Sequence, residues 1–222
     1  MKPKVLLLSL AAAVPVLAPL GLPLVEPRQA AALINALLAQ TGAPNVVSGV
    51  ILHTRLYDTI AEVVVFTLAA LGVSWMLQEE PDAGPVRALG DPAVGVLCRL
   101  GATVAALVAV ELALRGHLSP GGGFASGVAG GTAIGLLLIT GSASTLERLQ
   151  RRSRADRWEK GSVLAFLALA AVGLEGLDLP GGRFGSIASG GWIPLLNTVM
   201  ALKVMLGSWS MLQAFVRARG LL

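Results

Sequence analysis

The chain is poor in the residues from which soluble active sites are built. It has one cysteine, Cys98, so no disulfide can form within it. Cys98 with two histidines, His53 and His117, is too few ligands for a haem pair, a zinc site or an iron–sulfur site. No cofactor, metal or catalytic residue is expected. Charged residues make up 14% of the 222, whereas a soluble domain carries about 25%. The net charge of +4 does not point to nucleic acid, because the basic residues collect at the edges of apolar runs.

What remains is apolar. Hydrophobic residues are 55% of the chain and the mean hydropathy is +0.75. This composition predicts an all-α integral membrane protein. A helix needs about 20 apolar residues to cross roughly 30 Å of hydrocarbon. Six spans are expected, near Val5–Val25, Thr59–Leu77, Val94–Leu114, Ala125–Ser142, Ser162–Leu177 and Trp192–Phe215. The first contains Pro15, Pro19 and Pro23 and should be kinked. Lys2 and Lys4 before it also fit a cleaved signal peptide, so Met1–Val25 is either retained or removed.

Charge sets the orientation. With both termini cytoplasmic, twelve Lys and Arg lie on the cytoplasmic side. Arg28, Arg55, Arg115 and Arg183 lie on the other, and Lys203 falls inside a span, which accounts for all 17. The positive-inside rule therefore favours six spans with both ends inside. The basic loop Ser144–Lys160 is expected to be solvated or to touch anionic lipid heads. Between the first two spans, Gln29–Gln40 suits an interfacial helix. Val46–Leu52 suits a re-entrant segment or a second surface helix.

One segment cannot be regular helix: His117-Leu118-Ser119-Pro120-Gly121-Gly122-Gly123-Phe124. Pro120 lacks an amide donor and three glycines carry a large entropy cost. Irregular backbone at a bilayer edge must be satisfied by water or protein. This turn should therefore dock by close backbone packing, expected here against neighbouring subunits. His117 can hydrogen-bond the turn or sense pH.

Ionisable residues inside a membrane need a reason. Lys203 sits mid-span, about 15 Å from either surface, beyond the roughly 6 Å reach of its stem. It shares a face with the small residues Gly207 and Ser210. Asn197 lies about 120° away around the helix and suits an interhelical hydrogen bond. Asp58 can cap the second span, which leaves Glu62 one turn inside among apolar neighbours, as a buried, protonatable group. Glu111 precedes Arg115 by four residues, the spacing of a local helical pair. A direct pair between Lys203 and Glu62 is not expected, because their depths differ by about 9 Å.

The His117–Phe124 run resembles the signature of the B subunit of the Mrp-type multisubunit Na+/H+ antiporter. So does Gly191-Trp192-Ile193-Pro194-Leu195-Leu196-Asn197 followed by Ala201-Leu202-Lys203-Val204. Asn45-Val46-Val47, Arg55 and Asp58-Thr59-Ile60-Ala61-Glu62 resemble the module at the C-terminal end of the antiporter's large A-type component. That module is a separate small subunit in related membrane-bound hydrogenases. The chain reads as a fusion of a two-helix module over 1–80, a cytoplasmic linker over 81–93 and a four-helix domain like the antiporter's B component over 94–222. It departs from the family at Ala125-Ser126-Gly127, where Gln-Gly-Gly is usual, and at Ala61, where glycine is usual.

The resemblance implies a subunit of a cation/proton antiporter in a prokaryotic cell membrane. Its partners would be other antiporter subunits, large complex-I-like ones included, and its ions Na+ and H+. Glu62 would carry a proton or bind Na+ with Asp58 nearby, and Lys203 would compensate charge or gate. Two other readings stand beside it. One is a purely structural subunit of a complex-I-like or hydrogenase assembly. The other is an intramembrane serine protease using Ser126 in a glycine-rich stretch.

Overall fold

The structure is a computed structural model that describes residues 13, 27–80, 91–142, 148, 154–177 and 179–218. The expected first span apart from residue 13, the core of the linker and Asp178 lie outside these residues. Among the described residues every regular element is a helix. They are α1 (Pro27–Thr41), α2 (Val46–Gly49), α3 (Leu56–Met76), α4 (Pro92–Arg115), α5 (Gly122–Leu137), α6 (Ala155–Leu174) and α7 (Ile193–Ala218). A π-helical turn, Val50–Thr54, follows α2, and another, Leu138–Ser142, extends α5.

The chain divides into two compact units, Met1–Ala36 and Leu37–Leu222. The first supplies, among its described residues, the start of α1. The second holds α2 to α7.

Four helices are long and apolar enough to cross a membrane: Leu56–Met76, Pro92–Arg115, Gly122–Thr140 and Ile193–Ala218. The broken pair Arg28–Thr41 and Val46–Thr54 makes a fifth if counted as one span. The helix expected at Ser162–Leu177 instead runs from Ala155 to Leu174. Its first turns take up the end of the expected basic loop, so Arg157, Glu159 and Lys160 are helical.

Local chemistry explains the helix starts. Asp91 caps α4, its carboxylate accepting from the Ala93 amide at 2.8 Å, and Pro92 occupies the first turn. Asn45 caps α2 through the Val47 amide at 3.1 Å. Asp58 is not a cap: α3 begins earlier, and Asp58 lies in its first turn, paired with Arg55. The turn before α5 needs glycine, since Gly121 and Gly122 have φ of 140° and 75°.

Within the second unit α7 is the hub, packed against α3, α4, α5 and α6. Its buried Leu196, Met200 and Val204 meet Val63 of α3 and Phe166 and Ala170 of α6. Farther along, Leu206 and Trp209 meet Ala155 and Leu138. In lipid such contacts gain little from apolar burial, so close approach and hydrogen bonds matter more. Glycines on α5 give that approach. A Cβ on Gly123 would lie 2.2 Å from the Asn197 carbonyl oxygen, and one on Gly127 would lie 2.4 Å from Val204 Cβ.

Candidate functional site

Two polar centres stand out in this apolar bundle. The first surrounds the glycine turn. The Asn45 side-chain nitrogen donates to the carbonyls of Gly116 and Ser119, each at 2.8 Å. The Asn45 amide donates to the His117 carbonyl at 3.0 Å, and Ser48 Oγ to the Gly116 carbonyl at 2.6 Å. From the other side, Asn197 Nδ2 donates to the carbonyls of Ala113 at 2.7 Å and Leu112 at 3.1 Å. Leu112 and Ala113 lie in the last turn of α4, where carbonyls lack partners within the helix. Within its own chain the turn docks between Asn45 and α7. Pro120 is exposed, while Gly122 and Gly123 are buried.

His117 is fully buried, with Nε2 donating to the Ser186 carbonyl at 3.4 Å. Burial pushes its imidazole below the ordinary histidine value, against the opposing effect of the Ser186 and Ile187 backbone. Ser126 is also buried, and its hydroxyl donates to the Ala109 carbonyl of α4 at 2.6 Å. That bond joins two helices and occupies the one proton a nucleophile would give up.

The second centre is ionic. Lys203 is wholly buried, and its Nζ lies 2.9 Å from Glu159 Oε1 of α6. The Glu159 side chain keeps 15% of its exposure. The Phe66 ring of α3 stands 5.3 Å from Nζ, a cation–π distance. Phe124, the last residue of the glycine-turn motif, packs edge-on to Phe66 with centroids 5.7 Å apart. Gly207, one turn beyond Lys203, makes room for all three groups. A Cβ there would lie 2.7 Å from Phe66 Cε1, 3.1 Å from Nζ and 3.3 Å from Glu159 Oε1.

Sequence reasoning missed Glu159. Its neighbours Arg157 and Lys160 are exposed charges and mark a solvated loop. A signal was present: a mid-span lysine requires a carboxylate, and Glu159 is the acidic residue before the apolar run on the next helix back.

The other candidates do not meet Lys203 among the described ion pairs. Glu62 is exposed on the surface of this chain, which differs from its expected burial. Helix α3 buries the stripe Leu56, Thr59, Val63 and Ala70, and Glu62 stands about 100° from Val63 around the helix. Asp58 and Arg55 form an exposed pair beside it. Glu111 and Arg115 form a half-exposed pair at 2.9 Å.

Residues 93–210 match the model of the domain related to the MnhB subunit of Na+/H+ antiporter. Comparison with curated proteins gives no match. Among solved structures, the fold is similar to a chain of the membrane-bound sulfane sulfur reductase (MBS), an archaeal respiratory membrane complex. The TM-score is 0.71 at 22% identity, over 98% of this chain and 99% of that one. The family is one of antiporter subunits, not of enzymes. Both polar centres lie mainly in the matched region, which contains Glu159, Lys203, Asn197 and the glycine turn. The chain belongs to the MnhB-related family and is a multi-pass membrane subunit of the Na+/H+ antiporter type.

Proposed function

We propose that this subunit lines part of the cation route of its complex and helps hold that complex together. The ions are Na+ and H+, and the partners include large complex-I-like subunits in a prokaryotic cell membrane. Both termini would face the cytoplasm, the arrangement that the distribution of Lys and Arg favours. Residues 1–80 act as a module like the end of the antiporter's large A-type component, joined to the region that resembles its B component.

The observation that carries the proposal is the wholly buried Lys203, paired among the described residues with the carboxylate of Glu159. A charge so placed is expensive, and intramembrane charges concentrate on ion pathways. Glu62 supports the reading from α3. It is an exposed carboxylate on a helix long and apolar enough to span, so a proton, a cation or a neighbouring subunit must answer it. Asp58 stands one turn away, held by Arg55. Glu111 has the smallest part, since Arg115 on its own helix already matches its charge.

A structural subunit is the competing reading, favoured by the Asn45 and Ser48 side chains that meet carbonyls of the glycine turn inside the chain. Antiport in vesicles from a salt-sensitive strain, with the partner subunits co-expressed, decides between them. Glu62→Gln and Lys203→Ala should abolish exchange in complexes that still assemble. Loss of assembly with no transport defect in the assembled fraction would support the scaffold.

A further inference from the structure

We propose that Glu159 and Lys203 form a single-cation exchange site. One carboxylate holds in turn the Lys203 ammonium and a monovalent metal cation. The inference rests on reading the chain as a transport subunit and adds a residue, a stoichiometry and a side of entry.

Charge sets the stoichiometry. Among the described residues Lys203 pairs with one carboxylate, Glu159, at 2.9 Å. From the other helices packed around it, α3 contributes the Phe66 ring, backed by Phe124 of α5. A single carboxylate in a low-dielectric site balances one cation, and a second would stand uncompensated. The two cations must therefore alternate.

Burial gives the direction of entry. Lys203 has no exposure, whereas Glu159 keeps 15% of its own. Among the described residues the Glu159 side of the pair is the exposed one, so protons and cations enter from there. Arg157 and Lys160, on the same turns of α6, are exposed, which makes this start of the helix its charged end. Ala155 packs against Leu206 and Trp209, which brings the charged start of α6 beside the middle of α7. A second ligand is present as well: the Phe66 face favours either cation, and the absence of a side chain at Gly207 lets Phe66, Lys203 and Glu159 converge.

The step balances. Lys203 passes one proton to the Glu159 carboxylate, leaving a neutral amine and a neutral acid. Glu159 releases that proton to water on its exposed side and binds one monovalent cation in its place. One positive charge leaves and one enters, and reversal restores the ion pair.

The test uses the assembled complex in detergent, in weakly buffered solution with a pH-indicating dye, with NaCl as the probe. Wild type should release protons on NaCl addition. Glu159→Gln with Lys203→Met, a neutral pair that removes both charges together, should assemble and release one proton fewer per complex. Undiminished release by that double variant would overturn the proposal. Glu159→Asp keeps the charge but withdraws it, so the NaCl concentration for half-maximal release should rise several-fold in an assembled complex. An unchanged midpoint would overturn it, and this variant decides if the double variant fails to assemble. The broader reading fails separately: wild-type complex that releases protons but exchanges no Na+ across vesicles would retain the site and remove the transport role.

Discussion

Alanine at Gly123 probes the tightest contact in the bundle. Its Cβ would stand 2.2 Å from the Asn197 carbonyl oxygen and 3.0 Å from Met200 Cε. The methionine methyl can swing aside, but a backbone oxygen inside α7 cannot. Ordinary contact begins near 3.4 Å, so α5 and α7 must part by roughly 1 Å. Helix α5 is also tied to α4 by the Ser126 hydroxyl, so the shift loads a second contact. Overpacking of this kind destabilises by about 1–3 kcal/mol, and a strained hydrogen bond adds roughly 1 kcal/mol. Alanine in place of a helical glycine returns up to about 1 kcal/mol. The expected net loss is about 1–3 kcal/mol.

Gly135→Ala is the control. Its Cβ would meet Leu212 Cδ1 at 3.4 Å, an ordinary contact, so it should be neutral or stabilising by up to about 1 kcal/mol. Reversible unfolding in mixed micelles, followed by loss of helical circular dichroism, compares the two. Equal stability of Gly123→Ala and Gly135→Ala would refute the close-packing argument.

Three further outcomes follow. Asn45→Ala removes a helix cap and the bonds that seat the glycine turn, and should destabilise by about 2–3 kcal/mol in the same assay; a loss under about 0.5 kcal/mol would show the turn to be held otherwise. His117 resists protonation more when folded than when unfolded. Its contribution is therefore complete above the ordinary value of 6.5 and is lost as pH falls from there through the lower folded value. Unfolding midpoints of wild type should drop on mild acidification, and His117→Gln should flatten that drop. Ser126→Ala should cost about 1 kcal/mol while leaving transport intact, and a fluorophosphonate probe should leave Ser126 unlabelled; labelling would revive the hydrolase reading.

The long helices were legible because their apolar runs exceed bilayer thickness, and α4 and α7 fall close to their predicted positions. Lys203 was legible as a charge in need of a partner, because stem length and depth are properties of the sequence. The partner was not. Glu159 is 44 positions away, and only the offset of α6 along α7 brings it level with Lys203. That offset is set by packing of Ala155 and Phe166 against α7, which hydropathy does not encode. Glu62 was misjudged for a related reason. Its neighbours toward the middle of the helix, Val63 to Phe66, are apolar, and a uniformly apolar run does not reveal which stripe its own chain covers. The segment expected to be irregular is so only up to Gly121, since Gly122–Phe124 open α5 as helix, and the side chains that seat it, Asn45 and Asn197, lie more than 70 positions away on either side.

Infrared difference spectroscopy tests the central claim most directly, with the assembled complex measured before and after NaCl addition. The Glu159 carboxylate should change its stretching bands as Na+ replaces the Lys203 ammonium, and the change should be absent from Glu159→Gln. The same Na+-induced bands in Glu159→Gln would contradict the account and leave the pair a structural contact.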